Sequence, residues 1–226
     1  MNPRLRFARG VTLVGGGAAD LRTFHEAVAL APHVVAADGG ADRLAAWGAT
    51  PEAVVGDMDS VADLAGWRDR LGERVIHLAE QDTTDLEKCL YSVSAPFFLG
   101  VGFTGRRFDH TLAALHALLR RPDATAVLVG EEDVVFLCPP YWRVRVAPGA
   151  RVSFFPLAPV RGLASSGLRW PVEGLDFAPG LRIGTSNEAV AAEVAARFDR
   201  PGMAAILDRR FLGAALESLG VVAAAQ

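Results

Sequence analysis

The stretch "HVVAADGGADRLAAWGATPEAVVGDMDS", residues 33–60, decides the fold. It opens on a continuous apolar run that ends in an acid, "HVVAAD" (33–38). A segment of helical spacing follows over 40–47, and then a second continuous run, "AVVGD" (53–57). Strands that are apolar throughout, rather than on alternate residues, belong to a parallel sheet covered on both faces, and the helix between them supplies the crossover. The stretch closes on "GDMDS", which sets Asp57 and Asp59 one residue apart. If the chain is still extended there, the two carboxylates point the same way, and like charges that close call for a cation.

The same rhythm runs outward in both directions. Strands are expected at "VTLVGG" (11–16), "RVIHL" (74–78), "PFFLGV" (96–101) and "TAVLVG" (125–130), and helices over 20–30, 61–71, 84–93 and 109–120. Leu86, Leu90 and Val93 form one apolar stripe, and Leu112, Leu115 and Leu119 another. Asp20, Asp42 and Asp63 read as helix caps or surface acids. This half reads as an open, mainly parallel α/β domain spanning 1–131. From about 132 the texture changes to short runs punctuated by Gly and Pro, such as "YWRVRVAPGARVSFFPLAP", "GLRWPVEG", "LRIGTSNEAV" and "PGMAAILDRRF", with no long helix. A smaller β-rich domain is expected over 132–226.

Composition narrows the function classes. The 226 residues are 51% hydrophobic with a formal charge of −3, enough apolar mass for a substantial core and no basic footprint for nucleic acid. There is no apolar run long enough to span a bilayer and no clear signal-peptide segment. The two cysteines, Cys89 and Cys138, form no metal or disulfide framework, so the expectation is a cytoplasmic globular protein with reduced thiols. Of 23 basic residues only Lys88 is a lysine. A drift toward arginine spares a lysine where a compact ammonium is needed, although chance survival on a solvated helix face explains it as well.

In an open parallel sheet, ligands bind at the carboxyl ends of the strands. Four successive strand ends here carry Asp38, Asp57 and Asp59, Asp82 and Asp85, and Asp109. Any one of them reads first as a cap or loop acid; their gathering on one edge does not. A set of carboxylates without His or Cys ligands favours Mg²⁺, which is commonly shared with substrate phosphates. "DGGAD" and "GFTGRRFDH" supply glycines where backbone approaches a phosphate, Arg106 and Arg107 could clamp its oxygens, and Lys88 could add a point charge. There is neither a Walker motif nor a kinase loop set.

In chain order, "ADGGADRL", "VVGDMDS", "QDTTDLEKCL" and "GFTGRRFDHTLAAL", followed by "GLRW" and "GTSNE", resemble the thiamine pyrophosphokinase family from about residue 11 to about 210. The resemblance implies a C-terminal β-sandwich, a homodimer, and transfer of pyrophosphate from ATP to thiamine with Mg²⁺: the thiamine hydroxyl attacks the β-phosphorus and AMP leaves. It assigns Asp38, Asp57, Asp59 and Asp85 to catalysis, with Asp57, Asp59 and Asp85 as metal ligands and Asp59 or Asp85 as proton acceptor. Gln81, Asp82 and Lys88 lie nearby, and Arg107, Asp109 and His110 match an element near the nucleotide. Trp170 matches the tryptophan that packs on the thiamine pyrimidine, and Ser186 and Asn187 match a pair lining that pocket. Arg106 stands where the family often has a second glycine, and Ala114 where it often has asparagine. To exclude water from the transfer, the β-rich domain is expected to cover the acids across a two-fold, so that each site draws on both subunits. Two other readings share these residues: a pyrophosphokinase for another hydroxymethyl heterocycle such as a pterin, and a thiamine- or nucleotide-binding regulator without turnover. His25, His33, His77, His116, Trp47, Trp67 and Trp142 carry no site argument, and without the resemblance Trp170 reads equally well as sandwich core.

Overall fold

The computed structural model describes residues 3–221; the first two residues and the last five of the 132–226 stretch lie outside the described residues. The chain divides into two compact units, residues 1–131 and 132–226. The first unit contains, in order, β1 (Leu5–Arg6), β2 (Val11–Val14), α1 (Leu21–Leu30), β3 (His33–Ala37), α2 (Gly40–Ala46), β4 (Ala53–Gly56), α3 (Leu64–Leu71), β5 (Val75–His77), α4 (Asp85–Ser92), β6 (Val93–Ser94), β7 (Phe98–Val101), α5 (Phe108–Arg120) and β8 (Ala126–Val129). All pairings among these strands are parallel: β3 with β4, β4 with β5, β2 with β7, and β7 with β8, while β1 and β6 make a two-residue pair of their own. β3 runs beside β2. The chain therefore builds outward from β2 through β3, β4 and β5, then returns to the other side of β2 for β7 and β8. A sheet whose order reverses in this way opens a crevice at the carboxyl ends of the strands on either side of the reversal.

Helix starts are fixed by local chemistry. Asp20 and Asp63 cap α1 and α3, accepting from the backbone N–H groups of Thr23 at 2.6 Å and Gly66 at 2.9 Å. Thr84 and Glu87 form a reciprocal capping box on α4. Strand residues of β2, β4, β7 and β8 are buried throughout, and a core of Val14, Phe24, Leu44, Val54, Trp67 and Leu71 fills one face. Leu86, Leu90 and Val93 are buried as expected. The stripe on α5 is not: its buried face is Ala114, Ala117 and Leu118, and Leu112 is 51% exposed. Small side chains let a helix axis approach its neighbours closely, so the alanine face turns inward and the larger leucines flank it.

The second unit contains β9 (Asp133–Leu137), β10 (Tyr141–Arg145), β11 (Val152–Pro156), β12 (Val160–Ser166), β13 (Asp176–Phe177), β14 (Glu193–Phe198), β15 (Met203–Asp208) and α6 (Leu212–Ser218). It is a β-sandwich. One antiparallel layer pairs β15 with both β9 and β11, and the other pairs β14 with both β10 and β12, with β13 on the edge of β12. The alternating exposure of β10 sends Trp142 and Val144 inward. There Trp142 meets Phe136 and Phe154 of the facing layer with ring centroids 5.8 Å away, and Phe154 meets Phe198 at 5.5 Å. Two stretches expected as strands, "GLRWPVEG" and "LRIGTSNEAV", are loops tied by isolated bridges such as Leu168 with Ala189 and Phe154 with Gly184. Their glycines, prolines and left-handed residues break any longer ladder. Helix α6 was not anticipated; Ser218 at its end accepts a 2.8 Å hydrogen bond from the indole N–H of Trp142.

Candidate active site

The ends of β2, β3, β4 and β7 surround a crevice of about 680 Å³ in the first unit, lined by Gly15–Gly17, Asp38, Gly39, Asp57, Gln81, Asp85, Lys88, Gly102, Gly105, Arg106, Arg107 and His110 among others. Two glycine loops form one wall and interlock. The Gly17 N–H donates to the Gly102 carbonyl at 2.7 Å, and a Cβ on Gly102, at φ +78°, would stand 2.6 Å from the Gly15 carbonyl oxygen. Only glycine allows that approach. Arg43 reaches back from α2 to donate to the carbonyls of Gly16 and Ala19, both at 3.1 Å. Burial and the neighbouring charge of Arg106 both lower the pKa of Arg43. The two glycines of "DGGAD" divide the work: Gly39 lines the crevice, whereas a Cβ on Gly40 would lie 1.8 Å from the Val14 carbonyl oxygen, so Gly40 is required for α2 to pack on β2.

The floor is acidic. Asp38 follows β3 in the left-handed region at φ +46°, is 3% exposed, and its buried Oδ1 has no hydrogen-bond partner. Asp57 and Asp59 follow β4, but not as an extended pair. The strand ends at Gly56 and Met58 turns left-handed at φ +68°, which brings the two acids together by a turn instead of strand alternation. One carboxylate oxygen each of Asp38, Asp57 and Asp59 lies within 4.8 Å of the others. Burial raises the pKa of Asp38, and the charges of Asp57 and Asp59 add to that rise. For Asp57 burial acts upward too, but hydrogen bonds from Gln81 and Lys88 hold it below the usual carboxylate value.

Helix α4 supplies the counter-charge. The Lys88 side chain is 2% exposed and donates to Asp57 Oδ2 at 3.1 Å, with Asp85 Oδ1 at 3.8 Å; Gln81 Nε2 donates to the same Asp57 oxygen at 2.9 Å. Lys88 is thus a partner of the acids rather than a free point charge. Asp85 opens α4 outside the 4.8 Å trio, and burial first, then the charge of Asp38, raises its pKa to about 6. Asp82 does not line the crevice; its backbone N–H donates at 2.9 Å to Glu80. Glu80 also accepts from the Thr83 hydroxyl and the Tyr91 phenol. Those donors lower the Glu80 pKa to about 2 and fix the loop that presents Gln81.

At the start of α5, Arg106 sits at φ +51°, and Arg106, Arg107 and His110 line the crevice. Asp109 does not line it; its carboxylate pairs with Arg107 at 2.6 Å and accepts from the His110 N–H at 3.0 Å. In the second unit, Trp170 is 56% exposed on its loop. The buried Asn187 side chain clasps that loop: its Oδ1 accepts from the Trp170 N–H at 3.1 Å and its Nδ2 donates to the Trp170 carbonyl at 2.7 Å. Ser186, at φ +61°, donates its N–H to the Ser153 hydroxyl at 2.9 Å.

Sequence reasoning missed Gly15–Gly17 as a crevice wall and Arg43 as its tether. The run of three glycines between a strand and a capped helix was the available signal for the first; nothing local signals the second. The orphaned, buried Asp38 Oδ1 and the all-oxygen donor set of the acid trio fit a hard divalent cation.

An acid cluster and paired glycine loops at the switch point of a parallel sheet, joined to a β-sandwich, define a two-unit α/β protein with a polar ligand crevice. The family model for the catalytic domain of thiamin pyrophosphokinase matches residues 24–129, and the model for the vitamin B1 binding domain of that family matches residues 143–201. The chain belongs to the thiamine pyrophosphokinase family. Thiamine pyrophosphokinase 1 of Arabidopsis thaliana is 32% identical over 154 residues, a stretch that covers 61% of this chain and 58% of that protein. The fold matches that of yeast thiamin pyrophosphokinase with a TM-score of 0.73 at 16% identity, covering 92% of each chain. It also matches thiamin pyrophosphokinase from Geobacillus thermodenitrificans with a TM-score of 0.69 at 24% identity, covering 88% of this chain and 96% of that one.

Proposed function

We propose that this chain transfers the terminal diphosphate of ATP to the hydroxyl of thiamine, giving thiamine diphosphate and AMP. The observation that carries the reading is that Asp38 and Asp57 share one crevice with two glycine loops, Arg106 and Arg107, and that Asp59 lies within 4.8 Å of both acids. Mg²⁺ held by Asp38, Asp57 and Asp59 would neutralise charge on the transferring group. The glycine loops offer close backbone approach to phosphates, and Arg106 and Arg107 clamp their oxygens, with Asp109 directing Arg107. His110 lines the nucleotide side. Lys88 and Gln81 hold Asp57 in place.

As the thiamine oxygen bonds to the β-phosphorus, the bond from that phosphorus to the bridging oxygen breaks, and AMP leaves with that oxygen. The hydroxyl proton passes to Asp85, whose pKa of about 6 leaves it ionised at neutral pH yet basic enough to accept. Trp170 stacks on the pyrimidine, Asn187 holds its loop, and Ser186 ties the neighbouring turn to Ser153. The vitamin B1 binding match favours thiamine over a pterin, and the complete acid set favours turnover over mere binding. Free, buried Cys89 and Cys138 suit a cytoplasmic setting, and no helix among the described residues is long and apolar enough to cross a membrane.

The test is phosphorus NMR of the purified chain with ATP, Mg²⁺ and thiamine. AMP and thiamine diphosphate in equal amounts support the reading; ADP with thiamine monophosphate, or no thiamine-dependent turnover, refutes it. The same proposal makes the active species a homodimer whose sites combine the acids of one subunit with Trp170 and Asn187 of the other. Mixed subunits of Asp59→Asn and Trp170→Ala should then show sites with the wild-type thiamine KM, because one site of each heterodimer carries neither lesion. Activity with only the raised thiamine KM after confirmed exchange would leave each subunit with its own complete site.

A further inference from the structure

We infer that Lys88 and Gln81 make the acid cluster selective for a small octahedral cation over calcium, by limiting Asp57 to a single ligating oxygen; the inference rests on the cation-assisted transfer proposed above. Both donors converge on one atom, Asp57 Oδ2, from Lys88 at 3.1 Å and from Gln81 at 2.9 Å. The other oxygen, Oδ1, receives only a long 3.4 Å approach from the Asp59 N–H. Asp59 is limited in the same way, since its Oδ1 accepts from the Ser60 hydroxyl at 2.9 Å. Asp38 contributes a buried Oδ1 with no partner, in a residue 3% exposed, which points to a ligand that the protein itself does not supply.

Asp57 and Asp59 therefore each keep one oxygen clear of side-chain donors, and Asp38 adds its unpartnered Oδ1. Mg²⁺ takes single oxygens in near-ideal octahedral order, whereas Ca²⁺ gains from six to eight oxygens, commonly through carboxylates that give both. Lys88 is the stronger device. It is buried and held between Asp57 and Asp85, so moving it off Oδ2 would leave an ammonium unpaired in the interior. It also offsets one of the negative charges that Asp38, Asp57, Asp59 and Asp85 gather there.

The experiment is calorimetric titration of the metal-free full chain with Mg²⁺ alone and with Ca²⁺ alone, for wild type, Lys88→Met and Gln81→Leu. Losing the Lys88 charge strengthens both cations, and the ratio of their dissociation constants cancels that common effect. We expect the ratio to move toward Ca²⁺ by roughly tenfold in Lys88→Met, the low end of what outer partners of metal ligands contribute, and by a smaller factor in Gln81→Leu. Should Lys88→Met fail to fold, Gln81→Leu decides alone, because Gln81 is exposed and carries no charge. An unchanged ratio in the variants that fold overturns the inference. A shifted ratio in a chain that makes no thiamine diphosphate keeps it and refutes the functional reading; turnover with an unmoved ratio does the reverse.

Discussion

At the crevice of the α/β unit three acids crowd one another and one of them buries an oxygen without a partner, while at the Trp170 loop of the sandwich the polar side chains are paired. Asp38 buries an unpartnered oxygen, three carboxylates crowd within 4.8 Å, and Asp38, Met58 and Arg106 all sit at positive φ. Each left-handed residue costs on the order of 1 kcal/mol, and each acid repels the next. On the sandwich loop the Asn187 amide serves Trp170 at both its N–H and its carbonyl, Arg169 pairs with Glu188 at 2.7 Å, and Ser186 is left-handed beside glycines that take that conformation freely. That loop presents the Trp170 ring outward, with the Arg169 guanidinium 5.8 Å from its centroid. One region holds electrostatic strain that a cation would relieve; the other is a settled frame for an exposed ring.

The largest expected effect of breaking that contrast is at Asp57. Asp57→Asn keeps the shape and removes the charge, so turnover should fall by about a hundredfold or more while the fold persists. Activity near wild type at saturating Mg²⁺ would remove Asp57 from the cation site. Next comes Gly40→Ala, which should destabilise the chain by about 3 kcal/mol in denaturant unfolding, because the added methyl meets the Val14 carbonyl and neither backbone can retreat cheaply. Gly39→Ala, whose nearest neighbour would be Ser60 at 3.3 Å, should cost far less. Equal losses at the two positions would contradict the division of labour between them.

Trp170→Ala sharpens the comparison from the other side. Its ring is 56% exposed, so unfolding should hardly change, while the thiamine KM should rise by roughly tenfold with the ATP KM unmoved. Loss of ATP affinity or of the fold would place Trp170 elsewhere in the account.

Much of this was legible in the sequence, and the rest was hidden for physical reasons. The parallel sheet could be read from continuous apolar runs such as residues 33–37 and 53–56, because burial on both faces leaves no alternation. The strand-end acids could be read because the topology places all such ends on one edge. Contacts distant in sequence could not. Arg43 captures carbonyls 24 and 27 residues away, and Asn187 turns to Trp170 across 17 residues. Asp109 and Asp82 were placed with the site by their neighbours in the motif. Asp109 instead pairs with Arg107 two residues before it, and Asp82 lies on a turn that Glu80 organises.

A smaller effect is expected from the pH dependence of stability. The Asp85 pKa lies near 6 in the folded chain, above the ordinary carboxylate value, so the folded state binds the extra proton between about pH 4 and 6. The stability linked to that proton is present below the unfolded pKa and lost as pH rises through 6. Asp85→Asn should therefore be more stable than wild type at pH 7.5 in metal-free buffer, by about 1 kcal/mol after allowance for solvent screening of a partly exposed group, with the gain gone at pH 4. A gain independent of pH would point to a packing effect instead.

On this reading the crevice holds its acids together, against their own repulsion, for a cation. Thermal unfolding of wild type and Asp59→Asn across a Mg²⁺ titration at pH 7.5 tests it most directly. Without metal Asp59→Asn should melt no lower than wild type, and added Mg²⁺ should raise the wild-type Tm steadily by mass action while leaving the variant nearly flat. A metal-free Asp59→Asn that melts well below wild type, or a Mg²⁺ response of equal size in both, would contradict it.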